Sequence, residues 1–553
     1  MEAARENHGV RSWEWEMLAL VLAATAFFFL RLSDIPFVGE ETRRAIMARE
    51  MTQSGDWICP TQQGVPRNTK PPLQFWVIAL ATAIFGSESE FAVRFPSALA
   101  MVLTTLAIYL YTRAFLSRAG ALASGLGFLG TIEIMHSGRF AQIDPLFTFF
   151  LSGALFAWHY GYLRGWPAWW TWSAGYTLAS LAALTKGIQT PVYFSGSVVV
   201  YLLLRRDWRM LFSPAHALGI GIFAVILGSW LFPFWKLSGT AAVLEMWIGE
   251  SYTRTKIADF KVFLVHFVRF PVEVFLCALP TSVILLAFLS RDLRRHLGPA
   301  RSPALFLGVC LAVSVPTVWL PHGGEARYLM PVYPCAICLA GIALDRGRFA
   351  FSPQLARCAQ SFRTIAMAVM VGAMVGIVLW SAGLLPKALG VMPSSAVSVV
   401  FSLAGMAALA GVFWRASSPT WTSARCPFLW HTALIGFFAL AYTGIAIDRF
   451  VLICRDMQEE VAAARAAVPE GARLVSLDWV HHRFTYFYPE PVPVYPWRQT
   501  SEPPPLGSYF CFDAAPAFMP DLPFSWEPVV TVAVDRFKTT VPPRSVVVIA
   551  RRI

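Results

Sequence analysis

Apolar runs of roughly 18 to 25 residues recur along this chain, and that feature leaves few folds open. A run of about 20 apolar residues is long enough to cross a hydrocarbon core of ~30 Å as a helix. Inside a bilayer only helices and closed barrels satisfy the backbone, and barrel strands are about half this length. The chain therefore reads as an all-α polytopic membrane protein. Its composition agrees: 553 residues, 56% hydrophobic and 14% charged. The net charge of +12 does not indicate nucleic acid, because the arginines crowd short loops between runs, where they report topology. Cys335 and Cys338 form a CxxC inside an apolar run, which indicates core packing rather than redox chemistry. The first run lacks a small-residue cleavage site, so no cleaved signal is expected.

The runs place thirteen spans near 18–32, 91–112, 119–135, 145–162, 168–184, 187–204, 211–235, 267–289, 302–320, 328–344, 364–385, 393–414 and 427–447. Leu73–Phe85 is apolar but short, and is assigned as an interfacial helix in the first outer loop. With the N-terminus inside, the loops rich in arginine (Arg113 and Arg118, Arg205 to Arg209, Arg291 to Arg301, Arg346 to Arg363) all fall on the cytoplasmic side. The outer face then receives the 37–72 loop, the turns at Asp144 and Lys186, the 236–266 and 321–327 loops, and the C-terminal tail. Two domains are expected: a membrane domain, 1–450, and a small C-terminal α/β domain, 451–553. The second has a helix over 457–468 and short strands near 473–477, 493–495, 508–512, 529–534 and 545–549.

Chemistry-bearing residues concentrate on the expected outer face. Glu40 and Glu41 precede Arg43 and Arg44, so Glu40 shares a helix face with both arginines at i+3 and i+4. Lys70 closes the same loop before Pro71-Pro72. A carboxylate beside a guanidinium, with a lysine nearby, suits a site that handles phosphate and needs a base. A solvated loop with helix-pair salt bridges is the plainer account of the same residues. Asp144 precedes Pro145, where it is either a helix N-cap or a second carboxylate facing the Glu40 loop. Lys186, with Gly187 behind it for close backbone approach, either snorkels or binds an anionic headgroup. Pro321–Pro334 gathers His322, Glu325, Arg327 and Tyr328, with two glycines that make it flexible; the set is either suited to phosphate or pyrophosphate or is an aromatic-belt tyrosine with a topology-neutral arginine. Glu245–Lys261 is a charged loop placed to act as a lid or as a plain amphipathic loop. His266 and His481-His482 lack a second spaced ligand, so no metal site is assigned.

In order along the chain, the motifs Glu40-Glu41-Thr42-Arg43-Arg44, Ala48-Arg49-Glu50-Met51, Gly55-Asp56-Trp57, Lys70-Pro71-Pro72, Arg139 with Asp144, Thr185-Lys186-Gly187 and Arg327-Tyr328 with Pro331 and Pro334 resemble those of polyprenyl-phosphate-dependent glycosyltransferases of the GT-C class. The nearest likeness is to lipid A aminoarabinose transferases and protein O-mannosyltransferases. The chain departs in having Glu40 where the family has aspartate, and Thr69 where relatives often carry glutamate. If that glutamate helps hold a metal in relatives, such a site is lost here.

The resemblance implies a bacterial inner-membrane enzyme with its active site and C-terminal domain facing the periplasm. It implies a large cavity at the membrane edge and transfer, with inversion, from a polyprenyl-phosphate-linked sugar to a lipid A, glycan or protein acceptor. No cofactor, metal or nucleic acid is expected; membrane lipids are partners. Glu40 and Asp144 are the expected catalytic carboxylates, with Glu40 deprotonating or orienting the acceptor and Asp144 orienting Arg43 or the acceptor. Glu41, Arg43, Lys70, Lys186, His322, Arg327 and Tyr328 are expected to bind substrate. A transporter or flippase of lipid-linked sugars is the alternative. It calls for ionisable residues at the bilayer midplane, whereas here the charges gather at one face.

Overall fold

The computed structural model describes residues 2–249, 260–347, 353–384, 396–417, 426–497, 502–515, 519–538 and 542–553. Residues 250–259 of the expected lid and the start of the span expected at 393–414 lie outside them. The chain divides into two compact units. The first comprises Met1–Leu30, Thr69–Pro71 and Ser97–Asp448; the second comprises Arg31–Asn68, Pro72–Pro96 and Arg449–Ile553. Most of the first polar loop, Arg31–Asn68, is grouped in the second unit.

The first unit is helical. Among the described residues, each expected span falls on a helix or on consecutive helical segments. Among the described residues, seven helices are long and apolar enough to cross a membrane, or eight if the bent pair Phe260–Cys277 and Thr281–Leu289 is one span. The protein is a multi-span membrane protein of mostly helical build. The span expected at 267–289 falls on this bent pair. Its halves meet at 103°, because Pro280 just ahead of Thr281 has no N–H to continue the first helix.

Packing in this unit relies on small residues. A Cβ on Gly120 would lie 2.9 Å from Cβ of Asp345, and one on Gly341 would lie 1.9 Å from Oγ of Ser124. Helices Arg118–Leu129 and Tyr333–Gly347 therefore approach at van der Waals distance along this seam. Cys335 and Cys338 are fully buried in the second of these helices. Most relevant to function is the pair Ile143–Arg164 and Ala168–Lys186. The connection of three residues makes them an antiparallel hairpin, so the start of one and the end of the other share one end.

In the second unit the helix Glu41–Ser54 packs on Leu73–Phe85. At 13 residues the latter rises about 20 Å, too short to cross a bilayer. Its Leu80, Ile84 and Phe85 are exposed. Strands β1 (Thr61–Gln62) and β2 (Val65–Pro66) form a small antiparallel ladder. The tail contributes β3 (Leu474–Ser476), β4 (Tyr509–Ala514), β5 (Trp526–Ala533) and β6 (Val546–Arg552), ordered β3-β4-β6-β5, with β3 parallel to β4 and the other pairs antiparallel. The register sets Cys511 opposite Ile549 and Phe510 opposite Ala550, so the period of two sends these pairs to opposite faces. Cys511, Val547 and Ile549 join the core under the helix Gln458–Ala466. Phe510, Phe512, Val548 and Ala550 build a second core on the other face. Pro528 falls at the irregularity in β5, where its missing N–H does no harm. The strand expected at 493–495 is reduced to one bridge, Val494 to Ser476.

Candidate active site

Each unit holds one cluster of the residues singled out from sequence. In the first unit, Asp144 lies in the first turn of Ile143–Arg164 and Lys186 is the last residue of Ala168–Lys186. The hairpin brings them together: Lys186 Nζ is 2.5 Å from Asp144 Oδ1, and the two side chains are 7% and 9% exposed. Each charge also suits its helix end, an acid at an N-terminus and a base at a C-terminus. The N-cap position belongs to Gln142, not Asp144. The ring of Tyr328 lies 4.9 Å from Lys186 Nζ, and Arg327 lies 5.3 Å from the same ring. Arg327 pairs with Glu325 at 2.6 Å and is 37% exposed. Lys186, Asp144, Tyr328 and Arg327 thus form one buried-to-exposed array in which a cation is held beside an aromatic ring.

Two glycines act differently from their expected roles. Gly187 does not serve a close approach, because a Cβ there would meet nothing nearer than Pro71 Cγ at 3.9 Å. It serves a backbone φ of +82°, which L-residues rarely adopt. The same distance shows that Pro71, next to half-buried Lys70, abuts the Lys186 corner. Gly324 does not loosen its loop: a Cβ there would lie 2.1 Å from the Val318 carbonyl oxygen, so the loop packs backbone to backbone. Next to it, His322 has a buried Nδ1 with no hydrogen-bond partner among the described residues.

In the second unit Glu40 sits at the N-cap of Glu41–Ser54 and accepts a hydrogen bond from Arg43 Nη1 through Oε2. The i, i+3 pairing read from sequence is therefore present. Glu41 has a different position. It is fully buried, and Arg94 grips both its oxygens through Nε and Nη2 at 2.8 Å each. The Val38 N–H adds a bond of 2.9 Å. Arg94 in turn donates to the carbonyls of Leu32, Ile35 and Pro36 at 2.7 to 3.2 Å. Glu41, expected among the substrate-binding groups, is thus the core anchor of the segment that presents Glu40.

Other motif residues also prove structural. Arg49 pairs with Glu88 at 2.6 Å. Glu50 accepts from Thr61 Oγ1 and the Gln63 N–H at 2.5 and 2.7 Å, holding the β1–β2 turn. Gly55 ends the helix at φ +72°, and Asp56 caps the next turn by accepting from the N–H groups of Ile58 and Cys59 at 2.8 and 3.0 Å. Arg139 is buried and donates to the carbonyls of Phe27 and Leu30 at the end of the helix Glu2–Phe29.

Glu133 had no signal in the sequence, and His481 and His482 were weighed there only as metal ligands. Glu133 lies within electrostatic reach of Asp144 and Arg327. In the second unit, His482 Nδ1 is 2.6 Å from Thr42 Oγ1, a contact across 440 positions of chain. Burial, together with the charges of His481, Arg43, Arg44 and Arg483, holds the His482 imidazole well below its ordinary pKa. Burial and the same arginine environment bring His481 down to about 4. Both rings are therefore neutral at pH 7. Among the described residues, no group of three or more His, Cys, Asp and Glu side chains is placed to hold a metal ion.

Known proteins share this arrangement of helices and sheet. The crystal structure of ArnT from Cupriavidus metallidurans bound to undecaprenyl phosphate superposes with a TM-score of 0.72 at 21% identity, over 97% of this chain and 98% of that one. The fold is the GT-C fold. Within it, residues 69–232 match the family described as dolichyl-phosphate-mannose-protein mannosyltransferase. An undecaprenyl phosphate-alpha-4-amino-4-deoxy-L-arabinose arabinosyl transferase of Pseudomonas aeruginosa (strain LESB58) is 29% identical over 348 residues, covering 61% of each chain. An uncharacterized protein of Aquifex aeolicus (strain VF5) is 28% identical over 320 residues, 58% of this chain and 61% of its own length. The chain thus spans about three fifths of the length of these curated relatives. In this GT-C chain, Asp144 and Lys186 both lie inside the stretch matched to the mannosyltransferase family, whereas Glu40 lies ahead of it.

Proposed function

We propose that this protein is an integral membrane glycosyltransferase that moves a sugar from a polyprenyl-phosphate carrier, with inversion, to a lipid A, glycan or protein acceptor. The observation that carries the reading is the desolvated Lys186, oriented by Asp144 beside Tyr328 and Arg327. An acceptor oxygen attacks the anomeric carbon as the bond from that carbon to the phosphate oxygen breaks. The electron pair leaves with the phosphate. That developing charge needs cations in a low-dielectric site, the role of Lys186, Arg327 and Lys70, with the Tyr328 hydroxyl donating. The likeness to a GT-C structure that holds undecaprenyl phosphate supports the donor class. In the second unit, Glu40 takes the proton of an acceptor hydroxyl, and Arg43 holds its other oxygen. If the acceptor is itself a phosphate, no proton has to be removed and Glu40 positions it. Thr69 supplies no carboxylate for a metal, so turnover is expected to persist in a chelator.

The test is transfer of labelled sugar from polyprenyl-phosphate donor in native membranes. Lys186→Ala alone would strand the buried Asp144 carboxylate, which costs about 3–5 kcal/mol of stability. The informative variant is therefore the double change Asp144→Asn with Lys186→Gln, beside Lys70→Ala. Loss of one charge-assisted contact is worth about 1.5–3 kcal/mol, so donor affinity should fall roughly 10- to 150-fold at equal expression. Donor binding and turnover equal to wild type in both variants would leave these cations without the proposed role. Passage of intact donor across vesicles, with no sugar–phosphate bond broken, would identify a transporter.

We also propose that Glu40, residues 321–327 and the C-terminus face the periplasm, from the arginine asymmetry of the loops. A cysteine introduced by Pro505→Cys should react with an impermeant thiol reagent in intact spheroplasts. Protection there, with labelling after lysis, would reverse the orientation.

A further inference from the structure

The Glu40 carboxylate is addressed from two directions within the second unit. Arg43 Nη1 binds Oε2. The other oxygen, Oε1, lies 3.9 Å from Nε2 of His482. The imidazole is 4% exposed, and its far nitrogen, Nδ1, is tied to Thr42 at 2.6 Å. Thr42 is itself fully buried, two residues after Glu40 on the same helix. An ionised carboxylate only accepts hydrogen bonds, so a ring nitrogen turned toward it is favourable when it carries the proton. The Thr42 hydroxyl then donates to Nδ1 and selects that tautomer. At 3.9 Å the Nε2 and Oε1 atoms are too far apart for a direct hydrogen bond. One water oxygen about 2.8 Å from each can bridge them, accepting from Nε2–H and donating to Oε1.

We infer that His482 is a positioning residue for Glu40, presenting a neutral Nε2–H to the carboxylate oxygen that Arg43 leaves open. The inference rests on the reading of Glu40 as the acceptor-facing carboxylate. It assigns the C-terminal unit a part in turnover, through a residue that does not itself carry the chemistry. The charged and titratable groups around the ring are Glu40, Arg43 and Arg44 from the helix Glu41–Ser54 and its cap, and His481 and Arg483 from its own segment. Burial, reinforced by the surrounding positive charge, keeps His482 an uncharged donor rather than a competing cation.

Two substitutions separate positioning from mere packing. A glutamine amide reaches about as far as Nε2, whereas an asparagine amide reaches about as far as Nδ1. His482→Gln keeps a donor toward Glu40 and gives up Thr42; His482→Asn does the reverse. In native membranes, with their own donor and acceptor pools as the probe, His482→Gln should keep kcat within about 3-fold of wild type. His482→Asn and His482→Ala should lose about 10-fold or more, with the KM for donor unchanged, as expected for a misplaced catalytic group. Asparagine equal to or better than glutamine, at equal amounts of folded protein, would overturn the inference. A second readout needs no turnover. In full-length protein labelled with 15N at its ten histidines, the signal lost in His482→Gln should report a protonated Nε2 and should move on Glu40→Gln. An unmoved signal also overturns the inference. Full turnover by Glu40→Gln with a moved signal would leave the contact standing and remove the catalytic reading of Glu40 instead.

Discussion

Glu40→Gln is expected to remove most turnover while leaving donor binding largely intact. Loss of a general base slows a reaction by about 10²–10⁴-fold. The glutamine keeps the shape of the side chain and a hydrogen-bond acceptor for Arg43, so the helix cap should survive. Glu40 is 39% exposed in its side chain and therefore open to an acceptor, whereas Glu41 is sealed in the core. Glu40→Asp is the informative companion. It restores the residue common in the resembling enzymes but withdraws the carboxylate by one methylene. A single-turnover measurement with saturating donor isolates the chemical step. If Glu40→Gln retains near-normal turnover with the natural acceptor, Glu40 is not the base. An acceptor that is already an anionic phosphate would then be the leading account.

The second large effect is on folding. It falls on Glu41, which the structure seals in the core. Arg94 and Glu41 are 1% and 0% exposed, bound at 2.8 Å, and Arg94 also ties three carbonyls of the segment 32–36. Neutralising one member leaves the other buried without its counter-charge, a loss of about 3–5 kcal/mol. Glu41→Gln and Arg94→Met should therefore each reduce folded protein and lower the unfolding midpoint in detergent. Glu40→Gln should leave that midpoint close to wild type, because it is a half-exposed surface pair. A wild-type midpoint for Glu41→Gln would show that the pair is not the anchor described.

The contrast between these adjacent glutamates shows where sequence reasoning stopped. Local spacing was sufficient for the Glu40–Arg43 pair, because i, i+3 neighbours on a helix meet whatever surrounds them. It was not sufficient for Glu41, whose partner lies 53 positions on. The motif around Arg49 and Glu50 was legible as a family mark, yet its residues hold a turn and a loop. Gly55 and Asp56 likewise end a helix. Being shared with a family does not separate a residue that positions the chemistry from one that positions the backbone.

By itself, the sequence determined the class of the protein. Runs of apolar residues longer than a barrel strand commit the backbone to membrane helices, and short apolar runs in the tail commit it to a small sheet. It also determined that acids and bases cluster at loop ends, since charges are excluded from the bilayer core. Only the tertiary structure decided which charge meets which. The hairpin placed Lys186 on Asp144 across 42 positions, and the tail delivered His482 to Thr42 across 440. Such contacts depend on how helices and strands pack in three dimensions, and the periodicity of one segment carries no record of the segment that comes to lie beside it.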